Sequence, residues 1–258
     1  MDYDWLKEIM AKDASVYFKQ THDYSRKLID IVYLQVVRLV GALASYGLKI
    51  ISPAVEAAAR MKISIVAVAL MYVVSFLAGW YLISTSSPLA VEIKQGVLGA
   101  VVTEAPFTTI IQSLQGGELA VAILTTFMLN LVVGAFVTTT LPGIIPVIGA
   151  AFSGLVTLLR GFVIGVTYPE VLSASPVAFA LGLGTMVLEL GAYVFSGAAG
   201  IHIALAPILP RRYGTESRGM AFKNAWRDSV RVYPIVIILL ALGAVWEMTI
   251  LFLIIRPS

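Results

Sequence analysis

The chain has no cysteine among its 258 residues. That excludes disulfides, thiolate nucleophiles and cysteine-ligated metals. Histidine is almost as scarce: His22 and His202 are the two present, too far apart in sequence for a local metal motif. No Walker loop, zincin motif or nucleophile–base array occurs. Enzyme activity therefore has no support, no cofactor is implied, and no nucleic-acid partner is expected. Charge is thin as well. Charged residues make up 13 % of the chain, about half the usual share of a soluble domain. Between Glu118 and Arg160 there is none.

What fills the gap is apolar. Hydrophobic residues account for 59 % of the chain, and its mean hydropathy is +0.91. The uncharged run from Leu119 to Leu159 is too long for one bilayer crossing of about 20 residues and long enough for two. Midway it reads Leu141-Pro142-Gly143-Ile144-Ile145-Pro146, and proline with glycine breaks a helix and turns the chain. This predicts a transmembrane hairpin, roughly Leu119 to Val137 and Val147 to Val166, turning at the membrane surface. A span is also expected from Ile63 to about Leu82, with Trp80 and Tyr81 at its interfacial end. Another lies within Pro176–Pro207, a run overlong for one span and therefore tilted, partly interfacial or broken. The last is about Tyr233–Ile255, with Pro234 in its first turn.

The fold expected is thus all-α: a polytopic helical membrane protein with about five transmembrane helices plus interfacial amphipathic helices. Lys and Arg counts set the orientation. Arg211, Arg212, Arg218, Lys223, Arg227 and Arg231 cluster in one segment, and the first sixty-odd residues are also basic, ending in Arg60 and Lys62. The stretch Ser84–Gly117 holds Lys94 alone, against Glu92 and Glu104. Both basic segments are expected in the cytoplasm, N-terminus in and C-terminus out, in the cell membrane. Residues 1–62 read as a cytoplasmic or interfacial helical region. Residues 63–258 read as the transmembrane domain, with an outer loop at 84–117 and a basic cytoplasmic loop at 209–231. Leu28–Ile51 resembles a span, although Asp30, Arg38 and Lys49 interrupt it. A crossing there would move the basic Arg211–Arg231 segment outside, so an interfacial helix, or one packed beneath the bundle, is expected. The acidic start, Met1-Asp2-Tyr3-Asp4-Trp5, has no adjacent apolar run and reads as no cleavable signal peptide.

Two amphipathic stretches stand out. Phe107, Ile110, Ile111 and Leu114 keep helical spacing, with Glu104 and Pro106 fitting the first turn. Phe222, Trp226, Val230 and Tyr233 mark a helix leading into the last span, with Lys223, Arg227 and Arg231 on its other side. The basic set Arg211, Arg212, Arg218, Lys223, Arg227 and Arg231 either orients the chain or contacts anionic lipid headgroups.

Ionisable groups inside a bilayer are costly and face protein or water. Arg160, Glu189 and Glu247 are those within the expected spans, with Asn130 as the main polar amide. Glu189 shares a helical face with Ala192, Ser196 and Gly200, and small residues four apart allow close helix approach. Asn130 and Gly134 repeat the arrangement, and Ser153, Thr157 and Arg160 form a polar stripe. Arg160 is expected to pair with a carboxylate, Glu247 ahead of Glu189, because the third and fifth spans run the same way and place Arg160 and Glu247 at similar depth. The polar set is either a structural ion-pair cluster or a functional site.

The stretch Gly182-Leu183-Gly184-Thr185-Met186-Val187-Leu188-Glu189-Leu190, continuing to Gly197-Ala198-Ala199-Gly200-Ile201, resembles a helix of the stage II sporulation protein M family. Phe127-Met128-Leu129-Asn130 is similar to that family's asparagine-bearing second helix. Leu159-Arg160-Gly161-Phe162-Val163-Ile164-Gly165 is similar to its Gly-Phe-x-x-Gly helix. The family's His-Gly pair stands here as Thr185-Met186. The resemblance runs from about Ile63 to the C-terminus and implies a membrane scaffold, which in spore-formers localises peptidoglycan-cleaving partners during engulfment. Its expected partners are the bilayer, other membrane or envelope proteins, and further copies of itself. The competing class is a permease subunit in which Arg160, Glu189 and Asn130 line a path and a separate ATPase supplies energy.

Overall fold

The computed structural model describes residues 51–255. The expectations for Leu28–Ile51 and His22 fall outside them, apart from Ile51. Pro53–Ser258 forms one compact unit, and its described part is helical with no strand. The helices are α1 (Lys62–Ser84), α2 (Pro88–Thr103), α3 (Ala105–Gly116), α4 (Leu119–Ile144), α5 (Ile148–Ala174), α6 (Pro176–Leu205) and α7 (Arg218–Ile255). Residues 53–60 are helical too and lead into α1 through a turn at Met61. Five helices (α1, α4, α5, α6 and α7) are long and apolar enough to cross a membrane. The protein is therefore a polytopic helical membrane protein of the expected kind.

Local chemistry sets the ends. The α4–α5 turn falls on the Pro-Gly sequence: Leu141–Ile144 tightens into a 3-10 turn, and α5 starts at Ile148. Ser175 caps α6, its hydroxyl accepting from the Ala178 amide at 3.0 Å, and Pro176 follows in the first turn, where its missing N–H costs nothing. α3 begins after Glu104 with Pro106 and ends at Gly117, whose φ of 87° a side chain would disfavour. Ile110 and Leu114 on its apolar side are buried against Ala122 and Met248.

Three differences from the sequence reading have physical causes. The stretch 84–117 is not a plain loop with one amphipathic helix. It holds α2 and α3, bent by 58° to each other, a pair that could together form a broken span or a re-entrant loop. The Pro176–Leu205 run is continuous over 30 residues and not broken, with a π-helical turn at Met186–Leu190. Most of the basic segment 209–231 is helix, because α7 begins at Arg218 and runs through Pro234 into the last span. Pro234 is therefore interior, not in a first turn.

Small residues close the helix seams. In α1 and α5 the glycines face backbone: a methyl group at Gly79 would collide with the Phe162 carbonyl, and one at Gly165 with the Phe76 carbonyl. Gly161 lies equally close to the Ser75 hydroxyl. Lipid gives no hydrophobic drive between helices, so such close approach is what holds them. α6 packs on α4 in the same way. A methyl at Gly200 would collide with the Thr139 carbonyl and stand 2.8 Å from the Ser153 hydroxyl.

Candidate intramembrane polar site

The site begins with an irregularity of the backbone. Leu129–Thr140 of α4 is π-helical, a geometry that is rare in long runs and recurs at functional positions. Its carbonyls find partners among three consecutive threonines. Thr138 Oγ1 donates to the Gly134 carbonyl at 2.7 Å. Thr139 Oγ1 lies 2.6 Å from the Ala135 carbonyl. Thr140 Oγ1 donates to the Ser196 carbonyl on α6 at 2.9 Å. Tyr233 of α7 donates to Thr140 Oγ1 at 2.8 Å, and Ser153 of α5 donates to the Thr139 carbonyl at 2.7 Å. Four helices are thereby tied by hydrogen bonds where lipid offers none. The sequence signal was Thr138-Thr139-Thr140, which the reading above passes over.

Arg160 of α5 reaches into this widened turn. Its Nη2 donates to the Gly134 carbonyl at 3.2 Å and to Thr138 Oγ1 at 3.3 Å. The guanidinium carbon lies 3.9 Å above the centre of the Tyr193 ring. Arginine cannot lose its proton at this depth. Carbonyl, hydroxyl and aromatic face serve Nη2 and the guanidinium plane, while Nη1 is buried with no hydrogen-bond partner among the described residues. The Tyr72 hydroxyl of α1 also faces Arg160 and Thr157. The expected stripe is real: Ser153 and Thr157 are fully buried, and Arg160 extends it.

No carboxylate lies within 4.0 Å of Arg160 among the described residues, so the expected ion pair is not a contact pair. The preference for Glu247 is corrected too. Glu189 is the carboxylate within electrostatic reach of Arg160 and of Tyr193. Glu247 has Glu189 as its charged neighbour. Similar depth was a poor guide because α7 packs on α6 and α4 and not on α5. Gly243 packs on Leu188 and the Glu189 amide, and Gly184 on the Trp246 indole. Both carboxylates are half-buried, and Glu189 sits in the second π-helical turn, Met186–Leu190. The structure thus brings Arg160, Glu189, Gly134, Ser196 and Gly200 into one interior, with Glu247 at its edge. Asn130 is half-buried near the start of the π-helical stretch, and none of the hydrogen bonds described above includes it. Ala192, Ser196 and Gly200 are buried as the small-residue face requires.

A second cluster lies where 53–60, α6 and α7 meet. Arg60 donates from Nε and Nη2 to Asp228 Oδ1 at 3.0 and 2.7 Å. His202 Nε2 stands 3.7 Å from Asp228 Oδ2. Tyr213 donates to the His202 carbonyl at 2.7 Å, with the two rings 4.6 Å apart. The hydrogen bond to Asp228 raises the Arg60 pKa. Burial pushes the Tyr213 phenol up to about 12, so it remains a donor at physiological pH. Asp228 is the lone acid of the run 218–231, and that isolation was the available signal. The side chain of Asp228 is 11 % exposed and that of Arg60 45 %. Water can therefore take over Arg60 but not Asp228. Arg60→Ala is expected to cost more than Asp228→Asn, about 2 against 1 kcal/mol or less, as read from thermal unfolding in detergent. The reverse order would contradict this account.

Arg211, Arg212, Arg218, Lys223, Arg227 and Arg231 are all exposed. Among the described residues no group of three His, Cys, Asp or Glu side chains could hold a metal. The interior can pair charge and bind helices together, but it presents no nucleophile with an adjacent base.

Comparison with known proteins completes the picture. No curated protein and no solved structure matches the chain. The family model for Stage II sporulation protein M matches residues 64–250. That range runs from α1 into the last turns of α7 and takes in Asn130, Arg160, Glu189 and Glu247. With a polytopic helical bundle around those residues, the chain belongs to the Stage II sporulation protein M family.

Proposed function

We propose that the chain is a non-enzymatic scaffold of the cell membrane, a rigid multipass bundle that holds other membrane or envelope proteins in place. The observation that supports this most is how the intramembrane polar groups are used. Thr139, Thr140, Ser153 and Tyr233 donate to neighbouring helices, while Thr138 and Ser196 donate to carbonyls of their own helices. Glycines close the seams between them. Such an interior favours a fixed shape over a moving path. A second reading is a permease subunit working with a separate ATPase. It is favoured by the half-buried Glu189 and Glu247 and by the two π-helical stretches, since intramembrane carboxylates often mark ion routes. Gentle purification of the native protein separates the two. Envelope proteins in the complex support the scaffold; an ATPase as stoichiometric partner contradicts it.

The orientation proposed is basic end inward. In this cysteine-free chain, Thr85→Cys and Ser217→Cys place probes at exposed positions near opposite ends of α1 and α7. An impermeant thiol reagent on intact cells is expected to label Thr85→Cys, and Ser217→Cys only after permeabilisation. The opposite pattern would reverse the topology.

A further inference from the structure

At the basic end of the bundle, α4 and α7 leave a groove of about 110 Å³ between them. Phe136 and Thr140 of α4 and Trp226, Ser229, Val230 and Tyr233 of α7 line it. Half of these residues carry hydroxyls, yet the groove offers no polar partner. Thr140 donates to the Ser196 carbonyl, Ser229 to the Ala199 carbonyl at 3.5 Å, and Tyr233 to Thr140. With its hydroxyls turned inward, the groove accepts a hydrocarbon and nothing that needs a hydrogen bond. Its outer wall is Val230, 62 % exposed.

A row of cations runs beside that wall. On a helix, residues three or four apart are neighbours, so Arg227 adjoins Val230, and Lys223 and Arg231 extend the row from Arg227. The cations flank the Trp226–Val230 face of α7 and do not lie opposite it, where the sequence pattern puts them. All three are exposed. None of them forms an ion pair among the described residues, whereas Arg60 is held by Asp228 and Arg211 by Glu216 at 3.8 Å. An apolar groove bordered by three uncompensated cations matches an amphiphile with a hydrocarbon tail and an anionic head.

We propose that this groove binds an anionic glycerophospholipid, one acyl chain lying against Phe136, Trp226 and Tyr233 and the phosphate held by Lys223, Arg227 and Arg231. The site is specific in the headgroup and permissive in the chain. It binds the basic end of the bundle to membrane regions rich in anionic lipid, whichever partners the bundle carries.

Trp226 reports on the groove directly. The chain has four tryptophans, Trp5, Trp80, Trp226 and Trp246, and changing the other three to phenylalanine leaves Trp226 as the sole emitter. The full-length protein is reconstituted into vesicles of phosphatidylcholine that contain increasing fractions of brominated-chain phosphatidylglycerol or brominated-chain phosphatidylcholine. Quenching of Trp226 is expected at a markedly lower fraction of the brominated phosphatidylglycerol. Removing a cation near the surface weakens anionic-lipid attraction by roughly fivefold. K223Q/R227Q/R231Q should therefore abolish most of the preference while leaving helix content by circular dichroism unchanged. Val230→Phe, which fills the groove and keeps the cations, should reduce quenching by both lipids. Equal quenching by the two lipids in the parent, or an unchanged preference in the triple variant, would overturn the proposal. Trp226 shielded from both lipids in a cross-linkable pair of chains would also overturn it, assigning the groove to a second copy.

Discussion

Replacing Gly200 with leucine is expected to prevent stable assembly of the bundle, whereas replacing Leu190 with methionine leaves it nearly intact. The Cβ of any residue at 200 collides with the Thr139 carbonyl and stands 2.8 Å from the Ser153 hydroxyl. The first obstacle is backbone, which cannot rotate away. Ordinary overpacking costs about 1–3 kcal/mol; here α4 must separate from α6, so the loss lies at or above that range. Separation also breaks the Thr140–Ser196 bond and with it the support that Tyr233 gives. Leu190 is half-buried beside the main core, and Leu-to-Met conserves volume at less than about 1.5 kcal/mol. Thermal unfolding in detergent measures both. Equal midpoints would mean that close approach of α4 and α6 does not hold the bundle.

The second large effect concerns the aromatic face beneath Arg160. Tyr193 is 4 % exposed, and Tyr193→Ala is expected to destabilise by about 3–5 kcal/mol, as for other buried aromatics. Part of that loss is not cavity but the uncovered guanidinium, 3.9 Å above the ring centre in the parent. A double-mutant cycle separates the two contributions. Arg160→Met and Tyr193→Leu should couple by about 1–2 kcal/mol, the range of a desolvated cation–π contact. Additivity within about 0.5 kcal/mol, the behaviour of independent sites, would contradict the assignment. Tyr193→Phe keeps the ring and should retain most of the coupling.

Spans were legible in the sequence because lipid constrains them so strongly. Charge-free runs, the Pro142-Gly143 turn and Lys/Arg clustering carry the outline of the five apolar helices. The small-residue face of α6 was legible for the same reason: spacing of four on a helix needs no tertiary knowledge, and Ala192, Ser196 and Gly200 are buried as that face requires. The partner of Arg160 was not legible. Depth along a helix says nothing about which helices touch: at the level of Glu247, α7 packs on Leu188 and Glu189 of α6 and does not face α5. The π-helical stretch was equally hidden, since it depends on Thr138, Thr139 and Thr140 finding acceptors on the backbone of α4 and α6. Gly79 of α1 gave no local pattern, yet it faces Phe162 of α5 across a seam built from both helices. The pair Arg60 and Asp228, 168 positions apart, lies beyond any local reading.

The central claim is that the intramembrane polar groups are closed packing and not the lining of a path. Thr157 tests it most directly, being fully buried beside Arg160 and Tyr72. Thr157→Cys introduces the sole thiol of the chain at that point. In native membranes a small water-soluble thiol reagent is expected to leave it unmodified until the bundle is unfolded in denaturant, while Thr85→Cys in the same membranes reacts at once. Modification of Thr157→Cys at a rate comparable to Thr85→Cys, from either side of the membrane, would contradict the closed bundle and favour the permease reading.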